Sequence, residues 1–79
     1  MSDITIHNIN ISYDESHERV RDFVKYLQNE ERREEMKAYY DEAYHRSKDN
    51  KIHLNDKLGN EFTLECTSEH NCHLGLRGM

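Results

Sequence analysis

Seventy-nine residues, 34% of them apolar and 34% charged, support one small core, because a chain of this size buries only about 60% of its unfolded surface. That excludes a multi-domain architecture and a large cofactor-binding fold. With 3 glycines there is no glycine-rich phosphate loop, and neither a Walker-type nor a dinucleotide fingerprint occurs.

Eleven Lys and Arg stand against sixteen Asp and Glu, a net charge of −5. Phosphate binding draws most of its affinity from clustered cations, and no run of three basic residues occurs. Direct nucleic-acid binding is therefore not expected, and the balance suits docking onto a basic partner surface. The opening MSDITIHNIN lacks the basic and apolar regions of a signal peptide. No apolar run approaches the ~20 residues of a membrane span. The expectation is a cytoplasmic protein without membrane contact, its two cysteines reduced.

The chain predicts one α+β domain over residues 1–79, with sheet at about 4–11 and 51–77 and helix at about 14–47. Residues 4–11 alternate as a strand does, but the phase changes midway. Ile4 and Ile6 share one face and Ile9 and Ile11 the other. A bulge or bend at His7–Asn8 returns all four to one side.

Ser12-Tyr13-Asp14-Glu15 has the form of a capping box, with Asp14 and Ser16 as alternative caps. Val20, Phe23, Val24 and Leu27 then form one helical stripe, and Met36, Tyr39, Tyr40 and Ala43 a second, with Tyr44 beside it. The stripes are half a turn out of register. Either the helix breaks near Gln28–Glu30, with Asn29 as a new N-cap and acids in the first turn, or one long rod serves two cores in a dimer. Two helices are the preferred reading.

Residues 51–55, 61–66 and 72–76 alternate as strands. They are joined by turn chemistry at Asp56–Asn60, where Gly59 can take positive φ, and by a polar loop at 67–71. The expected order is β-α-α-β-β-β, an antiparallel sheet with helices packed on one face.

Cys66, His70, Cys72 and His73 are the residue types zinc selects. Cys72 and His73 are adjacent in a strand, however, and leave opposite faces. Only Cys66, His70 and Cys72 could converge, one ligand short, and paired C-x2-C or H-x3-H teeth are absent. The two cysteines flank a five-residue loop, which sets them opposite each other within disulfide reach. Packing as two small buried thiols is the first reading, a disulfide the second and a zinc-binding module the third. No cofactor is expected.

No serine has the strained setting of a catalytic nucleophile, and the Glu30-Glu31 and Glu34-Glu35 pairs face water on a helix, which suits a general acid poorly. An enzyme is not expected. From Asp14 to Glu42 there are ten acids against six bases. Glu30, Glu31, Glu34, Glu35, Asp41 and Glu42 concentrate on the second helix. A carboxylate array of this kind can imitate a phosphate backbone and occupy a basic groove on another protein. Tyr39, Tyr40 and Tyr44 span more of the helix than one core covers, and tyrosine is enriched at interfaces. The candidate partner-binding residues are accordingly Glu31, Glu34, Glu35, Tyr39, Tyr40, Glu42 and Tyr44.

The leading functional expectation is a small non-enzymatic inhibitor that occupies a partner's nucleic-acid-binding surface. Compact inhibitors of phages and mobile elements, anti-CRISPR-type proteins among them, share this size and charge, a likeness of composition alone. A zinc module on Cys66, His70 and Cys72 and a homodimeric adaptor are the alternatives.

Overall fold

The computed structural model describes residues 2–55 and 58–77. Met1, Asp56, Lys57, Gly78 and Met79, and with them part of the expected Asp56–Asn60 turn, lie outside the described residues. Strands β1 (Ser2–Ile6) and β2 (Ile9–Tyr13) are followed by helices α1 (Glu18–Leu27) and α2 (Glu30–Asp41). A single π-helical turn (Glu42–Arg46) extends α2, and strands β3 (Lys51–Asn55), β4 (Glu61–Ser68) and β5 (Asn71–Leu76) complete the fold. The class is α+β, with five strands in the order β1-β2-β5-β4-β3.

Two expectations are corrected. Residues 4–11 are not one kinked strand but part of a hairpin, Ile6 facing Ile9 across a two-residue turn. His7 and Asn8 take φ of 52° and 68°, the pair of positive values that a type I′ turn requires. The hairpin answers the phase change, since Ile4 pairs with Ile11 and Ile6 with Ile9. The sheet is also mixed rather than antiparallel: β2 docks parallel to β5, with Ile11 beside Cys72 and Tyr13 beside Leu74. The order is thus β-β-α-α-β-β-β.

The helical segment breaks where the stripes change phase. Asn29 is extended (φ −64°, ψ 135°), and its side-chain oxygen accepts the Glu31 N–H at 3.1 Å, satisfying one of the donors a helix start leaves open. This one non-helical residue resets the phase. Val20, Phe23, Val24 and Leu27 in α1, and Met36, Tyr40 and Ala43 beyond the break, all bury into the same core. A single rod is excluded, and the mismatch that suggested a dimer is absorbed within one chain.

The start of α1 departs from the capping-box expectation. Ser12 and Tyr13 remain in β2, and the N-cap position falls to His17, which makes no side-chain cap. Asp14 instead closes a turn, its Oδ1 accepting the Ser16 N–H at 3.0 Å and the Ser16 hydroxyl at 2.7 Å.

Helices cover one face of the sheet. On that face Phe23 of α1 stacks on Phe62 of β4 at 4.3 Å between centroids, and Leu64, Leu74 and Ile11 are fully buried. The opposite face is polar and uncovered. Strand register places Asp3, Ser12, His73, Glu65 and Lys51 in one lateral row across all five strands there. No helix among the described residues is long and apolar enough to cross a membrane.

Candidate functional site

Three surfaces carry chemistry: the outer side of α2, an aromatic row beside it, and the uncovered sheet face.

Met36 and Tyr40 fix which side of α2 faces the core. At 100° per residue, Glu30, Glu31, Glu34, Ala38, Asp41 and Glu42 then occupy roughly 120° of arc on the opposite side. All six are exposed, and five are carboxylates. The basic residues of α2 flank this arc instead of entering it. Lys37 Nζ reaches Glu34 at 3.4 Å and Arg46 Nε reaches Asp41 at 3.3 Å, whereas Glu30, Glu31 and Glu42 enter no ion pair among the described residues. The result is an acidic column ~18 Å long, one helix length.

The sequence-derived partner set divides on this geometry. Glu31, Glu34 and Glu42 lie in the column. Glu35 does not: its carboxylate accepts from Arg32 at 2.8 Å and from the Tyr39 hydroxyl at 3.1 Å. The Arg32 guanidinium also lies over the Tyr26 ring, 5.1 Å from its centroid. Arg32 therefore ties α2 to Tyr26 of α1, and Glu35 holds both the Arg32 guanidinium and the Tyr39 hydroxyl at the core rim. Burial, followed by the Glu35 carboxylate it bonds, pushes the Tyr39 phenol up to about 12. Tyr40 is only 9% exposed and drops out of the partner-facing group. Tyr44 is half-buried and packs against the core cluster, away from the column.

Tyr40 opens a row of rings. It stacks on Tyr44 at 5.5 Å and on His70 at 5.6 Å, with interplanar angles of 19° and 11°. His45 meets Tyr44 edge-on at 4.9 Å. Sequence reasoning passed over His45, because a surface histidine after a helix carries no periodic signal. It also weighed His70 only as a metal ligand.

The cysteines form a disulfide between facing positions of β4 and β5, with Cα atoms 3.9 Å apart. This corrects the preferred reading as free thiols, although both side chains do bury in the core, at 0% and 4% exposure. With the sulfurs bonded to each other they offer no zinc ligands. No group of three or more His, Cys, Asp or Glu stands in metal-holding geometry among the described residues.

On the uncovered face, Ser12 Oγ lies 3.0 Å from His73 Nδ1 and 3.3 Å from the Cys72 carbonyl. Ser12, expected to cap a helix, thus holds an imidazole. A shallow groove of about 610 Å³ runs beside it, past Asp14, His17, His53, Thr63 and Gly75 to Arg77. The charged residues along it have partners: Lys51 pairs with Glu65 at 4.0 Å and Arg77 with the neighbouring Glu61 at 3.1 Å, while the His17 Nε2 lies 3.7 Å from the Asp14 carboxylate. Hydrogen bonds from Ser16 hold the Asp14 carboxyl below its usual range.

Compared with known protein families, with curated proteins and with solved structures, the chain matches none.

Proposed function

We propose that the protein is a non-enzymatic docking protein that presents the acidic face of α2 to a basic surface of another protein and so competes with nucleic acid for that surface. One observation carries this reading: the outward arc of α2 bears carboxylates of a single sign, with the cations held to its flanks. A column of like charge on a rigid helix attracts a basic surface at long range and needs no enclosing pocket. The Arg32 contact with Tyr26 of α1 and the burial of Met36 and Tyr40 hold the helix in place beneath the column. A phage or mobile-element inhibitor of a nucleic-acid-binding enzyme is one form such a protein takes. The proposed setting is the cytoplasm, where a basic nucleic-acid-binding partner would be met; neither cysteine enters the proposed contact, both being buried in the Cys66–Cys72 disulfide.

The test compares proteins captured by the wild type with those captured by the triple variant Glu31→Lys, Glu34→Lys, Glu42→Lys. The proposal expects a partner that the wild type retains at moderate salt, that the variant loses, and that added duplex DNA or RNA displaces. Capture by the variant at wild-type strength overturns it, as does a partner indifferent to salt and nucleic acid.

A further inference from the structure

Gly75 stands bare within a ring of polar side chains on the uncovered sheet face. It lies in the interior of β5, between His73 and Arg77. Thr63 faces it from β4, with His53 beyond on β3, and Asp14 follows the last β2–β5 pair, Tyr13 with Leu74. All of these except Tyr13 line the shallow groove. Glycine weakens a strand, and its use inside one marks a bulge, a bend or a close approach by another molecule. The chain's own structure does not require it here. The backbone at Gly75 has no positive φ, and the β4–β5 irregularity lies elsewhere, at Cys66/Ser68. A Cβ added at position 75 would meet His73 Nε2 at 3.8 Å, an ordinary contact, and nothing nearer beyond its chain neighbours. An alanine therefore fits, and the glycine keeps space open in the groove.

We propose that this groove binds a nucleobase, free or as its nucleoside, with the ring laid flat on the Gly75 backbone. Side chains of a strand stand roughly perpendicular to the sheet, so a ring resting at Gly75 meets its polar neighbours with its edge. Those neighbours supply both donors and acceptors. The Arg77 guanidinium has five N–H donors, and its bond to Glu61 uses Nη1. Asp14 supplies carboxylate oxygens, of which Oδ1 is engaged by Ser16, and the Thr63 hydroxyl can act either way. Ser12 holds His73 through Nδ1 at 3.0 Å, which leaves Nε2 on the Gly75 side. A nucleobase carries donors and acceptors along its edges, whereas a phenyl ring has none and would leave these groups unpaired. Asp14, Glu61 and Glu65, on a chain of net charge −5, repel phosphates, which favours an uncharged ligand over a nucleic-acid strand. The site lies on the face of the sheet away from α2 and is independent of the docking reading.

Amide shift mapping with adenosine, guanosine, cytidine and uridine, each alone, tests this at about pH 7.5, above the usual imidazole range. At least one nucleoside should move the amides of Thr63, His73 and Gly75 along a saturating curve, with a Kd of about 0.1–1 mM. Ribose, a sugar without a base, and benzyl alcohol, a ring without a polar edge, should not. Gly75→Ala should keep or raise the melting midpoint, because alanine fits the fold and restricts the unfolded chain. It should nonetheless weaken the nucleoside about ten-fold by filling its space. Thr63→Val keeps the side-chain shape, removes the hydroxyl and should weaken binding about five-fold; it decides the matter should Gly75→Ala fail to fold. No saturation by any of the four, equal binding of benzyl alcohol, or full-strength binding by either variant overturns the site. Binding of a single-stranded oligonucleotide that tightens with its length overturns the free base or nucleoside as the ligand.

Discussion

The Tyr40 hydroxyl accepts a hydrogen bond from the backbone N–H of His70 at 2.9 Å, and the two rings stack. One side chain of α2 thereby pins the β4–β5 loop, whose His70 carbonyl in turn accepts the Asn10 N–H at 2.7 Å. Helix, loop and first hairpin meet at this point. Tyr40→Phe keeps the ring and removes the acceptor. It should lower stability by about 1 kcal/mol, the net worth of one hydrogen bond, and the melting midpoint by about 4–8 °C for a domain of this size. Urea unfolding of the two proteins measures it, and an unchanged midpoint would show that the hydroxyl does not hold the loop.

The disulfide spans 6 residues, so it removes little freedom from the unfolded chain. Loop-closure entropy gives about 2 kcal/mol. Reduction should therefore shift the unfolding midpoint by that amount without abolishing the fold, because both sulfurs stay buried as small apolar groups. Unfolding curves with and without reductant, paired with a free-thiol assay, check this. Complete unfolding on reduction would contradict it.

Asn29 is where the two helical phases are joined. Asn29→Ala deletes the cap on the Glu31 N–H and should cost about 1 kcal/mol. Replacing the exposed Gln28 by Ala should cost far less. Denaturant midpoints for the two variants separate a capping role from a general sensitivity of the linker.

Tyr39 predicts an alkaline limit. Its phenol is raised to about 12 in the folded chain from an ordinary 10, so the folded state holds this proton more tightly than the unfolded state does. The stabilisation is complete below pH 10 and is lost as pH rises from 10 toward 12. Tyr39→Phe should flatten the fall in melting midpoint over that interval. Tyrosinate absorbance should show one phenol titrating last in the wild type and missing from the variant.

Much of the fold was legible because short-range periodicity reports which side chains turn inward. The out-of-phase stripes around Gln28–Glu30 required a break, and Asn29 supplied it. The phase change at His7–Asn8 required a correction, but a bulge and a two-residue turn restore phase equally well, and neither His nor Asn announces positive φ as Gly does. The parallel docking of β2 on β5 has no local signal at all, since it depends on which sheet edge the hairpin meets. At the candidate site, the spacing of Glu30, Glu31, Glu34, Asp41 and Glu42 foretold a shared outer face. Glu35 meets Arg32 and Tyr39 at i−3 and i+4 on its own helix, pairs that spacing allows but does not single out. The anchoring of Tyr40 depends on the β4–β5 loop, thirty residues away and invisible to spacing.

If the outer arc of α2 is the working surface, amide shift mapping of the isotope-labelled protein during titration with a basic peptide will show it. The amides of Glu30, Glu31, Glu34, Ala38, Asp41 and Glu42 should move, their shifts should collapse as salt is raised, and His53, Thr63 and His73 on the uncovered sheet face should stay still. Shifts centred on those sheet residues, with α2 unmoved, would contradict it.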